Sequence, residues 1–184
     1  MNTSGSDIHN QLSISLTLVL IFLCSALSAQ QLHTVKQDGT GDYQTIQAAI
    51  DNSMNGDTIL VWPGIYYENL EISSKNIILG SLTLLTDDPA YIDQTVIDGN
   101  YQESCLKIVY DSEVELVGFR ITHGSGDTEY WERGDGGGIF IYLSDLSIFN
   151  CHITENDAWG SGGGICSYIS TINLSGTTIS NNHA

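Results

Sequence analysis

The tetrapeptide Gly-Gly-Gly-Ile occurs twice, at Gly136-Gly137-Gly138-Ile139 and again 26 positions on at Gly162-Gly163-Gly164-Ile165. A fixed period of this length restricts a chain to architectures built from stacked copies of one unit. The same offset lays residues 146–156 over 172–182, and Tyr142, Ser144 and Ala158 over Tyr168, Ser170 and Ala184. An earlier copy, residues 114–122, precedes the copy at Leu146 by 32 positions, six more than the repeat, which places an inserted stretch within residues 124–133.

Apolar columns run through the copies: Val114, Leu146 and Ile172; Leu116, Ile148 and Leu174; Ile121, Ile153 and Ile179; and, less strictly, Phe119, Cys151 and Thr177. Spacing within a copy is two, then three, then two, which is strand alternation interrupted once by an added residue. The residue before the fourth column is Gly118, Asn150 or Gly176. These types tolerate positive φ, so a sharp bend between two short strands follows. A strand, a bend and a second strand, repeated, describe the coil of a parallel β-solenoid in which each coil stacks about 4.8 Å from the last. The Gly-rich runs could be read as linkers or phosphate loops, but each leads at a fixed distance into a strand-like segment, and no Lys-Ser or Lys-Thr follows. Their glycines are expected to let the chain turn tightly between coils. Asn156 over Asn182 suggests an amide ladder in the turn.

Residues 12–29 combine an apolar run, 16–23, with the small residues Ser25, Ala26, Ser28 and Ala29, the order of a secretory signal peptide. The run falls short of the roughly 20 residues a membrane-spanning helix needs. Leu23 directly before Cys24 is the wrong residue for lipoprotein processing. The expected organisation is a signal peptide over 1–29 and one all-β domain over 30–184, with a cap over about 32–57, coils over about 58–184 and no membrane span after cleavage. A net charge of −17 with only five Lys and Arg argues against nucleic acid and anionic membrane surfaces as partners, because both need cationic contacts. It suits a secreted or cell-surface protein, or one that binds divalent cations. The cysteines left after cleavage, Cys105, Cys151 and Cys166, are odd in number and lack metal-type spacing. They are expected as isolated buried thiols.

Residues 42–50 read as a short helix with Asp42 as N-cap and Ile46, Ala49 and Ile50 on one face, placed to cover the first coil. Further strands are expected at 58–62, 66–72, 76–79 and 95–97. The pattern that runs on past Ala158 stops at Ala184. The chain therefore reads as the N-terminal part of a longer, C-terminally truncated solenoid whose last strands carry open, association-prone edges.

Two stretches bear a resemblance. Val35-Lys36-Gln37-Asp38-Gly39-Thr40-Gly41-Asp42-Tyr43-Gln44-Thr45-Ile46-Gln47-Ala48-Ala49-Ile50-Asp51, followed by Gly56-Asp57-Thr58-Ile59-Leu60-Val61-Trp62-Pro63-Gly64-Ile65-Tyr66-Tyr67-Glu68-Asn69, resembles the opening of pectin lyase-like β-helix proteins, pectin methylesterases among them. Thr95-Val96-Ile97-Asp98-Gly99-Asn100 and the Gly-Gly-Gly-Ile repeats resemble exported bacterial β-helix repeat proteins of that superfamily. The resemblance implies a right-handed parallel β-helix with a short N-terminal capping helix. No catalytic residue carries over, because the esterase motifs, a Gln-containing segment and strand-borne Asp residues with an Arg, have no match before Ala184.

A lyase of this superfamily implies carboxylates that hold Ca²⁺ against a uronate and an Arg or Lys that takes the C5 proton. Arg120 points outward between Phe119 and Ile121, in the column of His152 and Thr178; it is a candidate base or a plain surface charge. The inserted stretch holds Asp127, Glu129, Glu132 and Asp135 with Tyr130 and Trp131, oxygen ligands and rings suited to calcium or to stacking on a sugar. The alternative is a solvated acidic loop. Loops that depart from a solenoid's repeat are where function concentrates. Glycoside hydrolysis needs two carboxylates roughly 5 to 9.5 Å apart, and paired acids are not expected in any outward column, since Glu115 stacks with Ser147 and Asn173. The function expected is an exported module that binds carbohydrate, such as a polysaccharide, or a cell-surface protein ligand. The alternative is a polysaccharide-processing enzyme, lyase-like, hydrolase or esterase, whose groove lies mostly beyond residue 184.

Overall fold

Strand alternation places every second residue on one face, and in this chain those residues are apolar at a fixed repeat, so successive strands can bury them only by stacking in register. The computed structural model describes residues 29–127 and 134–184; the expected signal peptide falls almost wholly outside them. Three parallel sheets, A, B and C, are visited in turn. The strands are β1 (Leu32–Val35) and β2 (Thr58–Val61) in A, β3 (Gly64–Tyr67) in B, β4 (Leu70–Ser73) in C, β5 (Asn76–Ser81) in A, β6 (Thr95–Asp98) in B and β7 (Leu106–Val109) in C. The same rotation continues through β8 (Glu113–Val117), β9 (Arg120–Thr122), β10 (Ile139–Tyr142), β11 (Asp145–Phe149), β12 (His152–Thr154), β13 (Ile165–Tyr168), β14 (Thr171–Ser175) and β15 (Thr178–Ser180). From β2 onward each strand pairs in parallel with the one three places later. The chain is thus all-β, with stacked circuits compatible with a β-helix.

The expected columns are the observed register. Val114, Leu146 and Ile172 are partners, as are Leu116, Ile148 and Leu174, and Ile121, Ile153 and Ile179. Leu116, Phe119, Ile121, Ile148, Cys151 and Ile153 are wholly buried, and each such aliphatic side chain contributes about 2 kcal/mol by leaving water. At the far end of the stack Leu174 and Ile179 of the same columns are half exposed.

The bend between sheets A and B falls where expected, with φ of 78° at Gly118, 52° at Asn150 and 62° at Gly176. Asn150→Gly should therefore be close to neutral in urea melts, while Asn150→Val should lose about 1–2 kcal/mol, because a β-branched side chain resists this backbone region. Equal tolerance of both would remove the bend as the reason for Asn at this position. The Gly-rich runs do more than turn. Gly136 and Gly162 do sit at positive φ, 68° each, but a Cβ on Gly137 would lie 2.2 Å from the Asp157 carbonyl oxygen and 2.4 Å from that of Gly163. The second glycine of each run is required by close approach of stacked backbones.

The N-terminal helix, α1, spans Ile46–Asn52, and its N-cap is Thr45, which accepts from the Ala48 amide, rather than Asp42. Asp42 is engaged elsewhere: its Oδ2 accepts from the Thr34 amide and hydroxyl at 2.8 and 2.7 Å, and Tyr43 bridges to Val35. That extended pairing moves the N-cap three residues on. Ile46, Ala49 and Ile50 are buried as expected. The carboxylate of Glu68 accepts from the amides of Ile46 and Gln47, while the ammonium of Lys75 donates to the carbonyls of Ile50, Asp51 and Ser53. An acid at the N-terminal end and a base at the C-terminal end match the helix dipole. Because Glu68 is drawn to α1, and Asn69 Nδ2 donates to the carbonyls of Gly99 and Ser104, the strand expected over 66–72 breaks into β3 and β4. A one-turn helix α2 (Thr83–Thr86) and a 3-10 turn Pro89–Tyr91 were not expected; neither has a repeat copy to reveal it.

Asp57 ties the first two circuits together, accepting from Gln31 N, Met54 N and His33 Nε2 at 2.8, 2.8 and 3.0 Å. Burial acts to raise its pKa, but these bonds outweigh it and hold the carboxyl below its usual range. Cys105, Cys151 and Cys166 are buried and unpaired. Burial pushes the Cys105 thiol up to about 12 and that of Cys151 up to about 11, so both persist as protonated core residues. Among the described residues no helix is long and apolar enough to cross a membrane.

Candidate functional site

The break in the repeat is located by the register. Leu106 pairs with Ile139, and Asp127 and Asp135 form an isolated antiparallel bridge, with N–H···O distances of 2.8 and 3.1 Å in the two directions. That bridge is the neck of the insertion; residues 128–133, which include the candidates Glu129, Tyr130, Trp131 and Glu132, lie outside the described residues. The neck itself is not a solvated acidic loop. Asp127 and Asp135 are almost completely buried. Asp135 accepts from the Ser161 amide at 2.6 Å and the Tyr168 hydroxyl at 2.7 Å, and this bond raises the Tyr168 pKa. Asp127 Oδ2 lies 3.1 Å from the ammonium of Lys107, which also faces Glu71 at 3.5 Å and Glu103 at 3.6 Å. A buried charge is tolerable only when paired in this way. Both carboxylates anchor the insertion to the outer face of sheet C, where Val109, Phe140 and Cys166 form a second apolar cluster with Tyr142 and Tyr168 against it.

Arg120 belongs to a different surface, the outer face of sheet B. It is in register with His152, which pairs in turn with Thr178, as expected. The column does not show what the guanidinium touches: Arg120 Nη2 donates to Glu155 Oε2 at 3.0 Å, and His123 Nε2 lies 3.8 Å from the same oxygen. His123 Nδ1 donates to Asp98 Oδ2 at 2.9 Å, and His152 Nδ1 to Asp93 Oδ1 at 3.0 Å. An ionised carboxylate has no proton to give, so in each pair the proton is on the imidazole Nδ1. Tyr101 stacks on His123 with ring centroids 4.9 Å apart, and Tyr67 is the strand partner of Asp98. Tyr101, His123 and Glu155 have φ of 56°, 58° and 59°, and Asn181, the next residue in the column of His123 and Glu155, has 55°, so this conformation marks a corner of successive circuits. The buried hydroxyl of Thr122 and the buried Nε of Arg120 on this face have no hydrogen-bond partner. The Ile121 and Ile153 alignment already set His123 over Glu155, and this was the signal available for finding them. Asp98, Asp93, Tyr67 and Tyr101 have no such trace.

Sheet A corrects one expectation. Glu113 and Asp145 are direct partners on neighbouring strands, so an outward column does carry paired acids. They line a cleft of about 380 Å³ with Asp111, Leu143 and Ile169. Asp145 Oδ1 accepts from the Thr171 amide at 3.1 Å, which gives that carboxylate a structural bond. Among the described residues no three His, Cys, Asp or Glu side chains converge as metal ligands would.

No model of a known protein family and no curated protein matches the sequence.

Proposed function

We infer that this chain is an exported right-handed parallel β-helix of the pectin lyase-like kind, serving as an extracellular or cell-surface module that binds carbohydrate or a protein ligand. The handedness rests on the strong right-handed preference of parallel strand crossovers. The observation that carries the binding role is the insertion at the corner between sheets B and C. It adds residues to a stack whose register is known on both sides of it, and its neck is fixed by two buried carboxylates rather than left loose. A scaffold that holds the ends of a short segment rich in acids and aromatic rings by a buried ion pair, Lys107 with Asp127, and a bond from the Tyr168 hydroxyl to the buried Asp135 has the construction of a recognition loop. Calcium fits this reading if the acids of residues 128–133 complete a ligand set.

The test is a pull-down of the secreted chain with a panel of insoluble polysaccharides, with and without calcium, beside a variant in which residues 128–133 are replaced by Gly-Ser. Binding by the parent and its loss in the variant support the role; equal retention removes it. A polysaccharide-processing enzyme remains the second reading, favoured by the Glu113 and Asp145 pair in register on adjacent strands, since such enzymes act through two facing carboxylates. Release of reducing ends that is abolished by Glu113→Gln would decide for it.

A further inference from the structure

We propose that the outer face of sheet B is a separate binding surface for uncharged polysaccharide, with Tyr67 and Tyr101 as stacking platforms on either side of the Asp98–His123 pair. The inference rests on the carbohydrate half of the reading above and assigns it to side chains away from the insertion. Both rings are turned to solvent, with relative exposures of 67% and 59%. Tyr67 stands beside Asp98 across the strand pair, and Tyr101 lies on the imidazole that Asp98 holds. A tyrosine presented in this way offers a rigid apolar face and a polar tip, which suits a sugar ring with C–H bonds on its faces and hydroxyls at its rim.

The polar groups between and beside the rings set the ligand's charge. Among the described residues, each cationic or potentially cationic group on the face already has its own carboxylate: Arg120 has Glu155, His123 has Asp98 and His152 has Asp93. A polyuronate or sulfated glycan would have to displace one of these carboxylates while approaching a chain of net charge −17. A neutral glycan meets neither cost. Its hydroxyls both donate and accept, and so match a rim that offers carboxylate acceptors beside guanidinium and imidazole donors.

The experiment is affinity electrophoresis of the full chain in native gels containing galactomannan, mixed-linkage β-glucan or hydroxyethyl cellulose, against gels containing polygalacturonate or alginate, all with chelator to prevent calcium bridging. Retardation is expected in at least one neutral gel and in neither polyuronate gel. Tyr101→Ala and Tyr67→Ala should each weaken it roughly tenfold, with the Phe variants close to the parent and thermal melts unchanged, because both rings are exposed. Tyrosine variants that migrate like the parent, or retardation confined to polyuronate, would overturn the proposal. Retardation that survives replacement of residues 128–133 and fails in the Tyr→Ala variants assigns the site to this face. Retardation lost with that segment and intact in the tyrosine variants overturns this proposal and leaves the insertion as the binding element. Failure in every gel and in the pull-down overturns both.

Discussion

Ile153→Asp should leave the chain without a cooperative unfolding transition in water at 25 °C. Ile153 is wholly buried on β12, between Ile121 and Ile179 in register, and a Cβ added to Gly138 would touch its Cγ2 at 3.0 Å. The substitution removes about 2 kcal/mol of apolar burial and places a carboxylate within the buried apolar cluster of the core, for a combined cost of about 5 kcal/mol or more. Domains of this size have a total stability of roughly 5–15 kcal/mol. Ile153→Val, which trims one methylene without adding charge, should cost only about 1 kcal/mol and serves as the control. Urea titration followed by circular dichroism measures both. A charged variant that unfolds at the parental midpoint would mean that the third column does not face the core.

Gly137→Ala is the second large effect, expected at about 4 kcal/mol and visible as a lowered urea midpoint and loss of soluble secreted protein. The added methyl would meet two main-chain carbonyl oxygens of the next circuit at 2.2 and 2.4 Å. Neither oxygen can rotate away as a side chain would, so the circuits must part, with strain on the 3.2 Å bond from Gly137 N to Gly162 O and the 3.3 Å bond from Cys105 N to Gly137 O. Overpacking against immovable backbone belongs to the small class of severe single substitutions. The result separates two reasons for a glycine run. If Gly served here only to allow a turn, alanine at a position without positive φ would be harmless.

Both predictions depend on features with different visibility in the sequence. The columns that bury Ile153 could be read directly because in a stack the offset between copies is the strand register: 26 residues between Ile153 and Ile179, 32 between Ile121 and Ile153. Alternation then settles which side chains face inward. The bends at Gly118, Asn150 and Gly176 were legible for a similar local reason, since few residue types accept their φ. The clash that forbids a side chain at Gly137 was hidden, because it involves the carbonyls of residues 157 and 163, in the next circuit.

Local chemistry was thus determined by the chain alone: the period, the strands within the aligned copies, the bends, the inward columns and the position of the insertion within ten residues. Tertiary structure decided which polar groups meet. His152 reaches Asp93 across 59 positions, and His123 reaches Asp98 across 25, neither of them a multiple of the repeat. These partners come from the connections around β6, which have no second copy to align. Lys107 gathers Glu71, Glu103 and Asp127 from three separate connections and strands, and Asp42 gave up its expected place at the helix N-terminus to Thr45 because Thr34 in β1 competed for its carboxylate. Apolar burial is non-directional and repeats with the chain, so a pattern suffices to announce it. A hydrogen bond or ion pair needs two particular atoms within about 3 Å, and only the path of the intervening loops brings those atoms together.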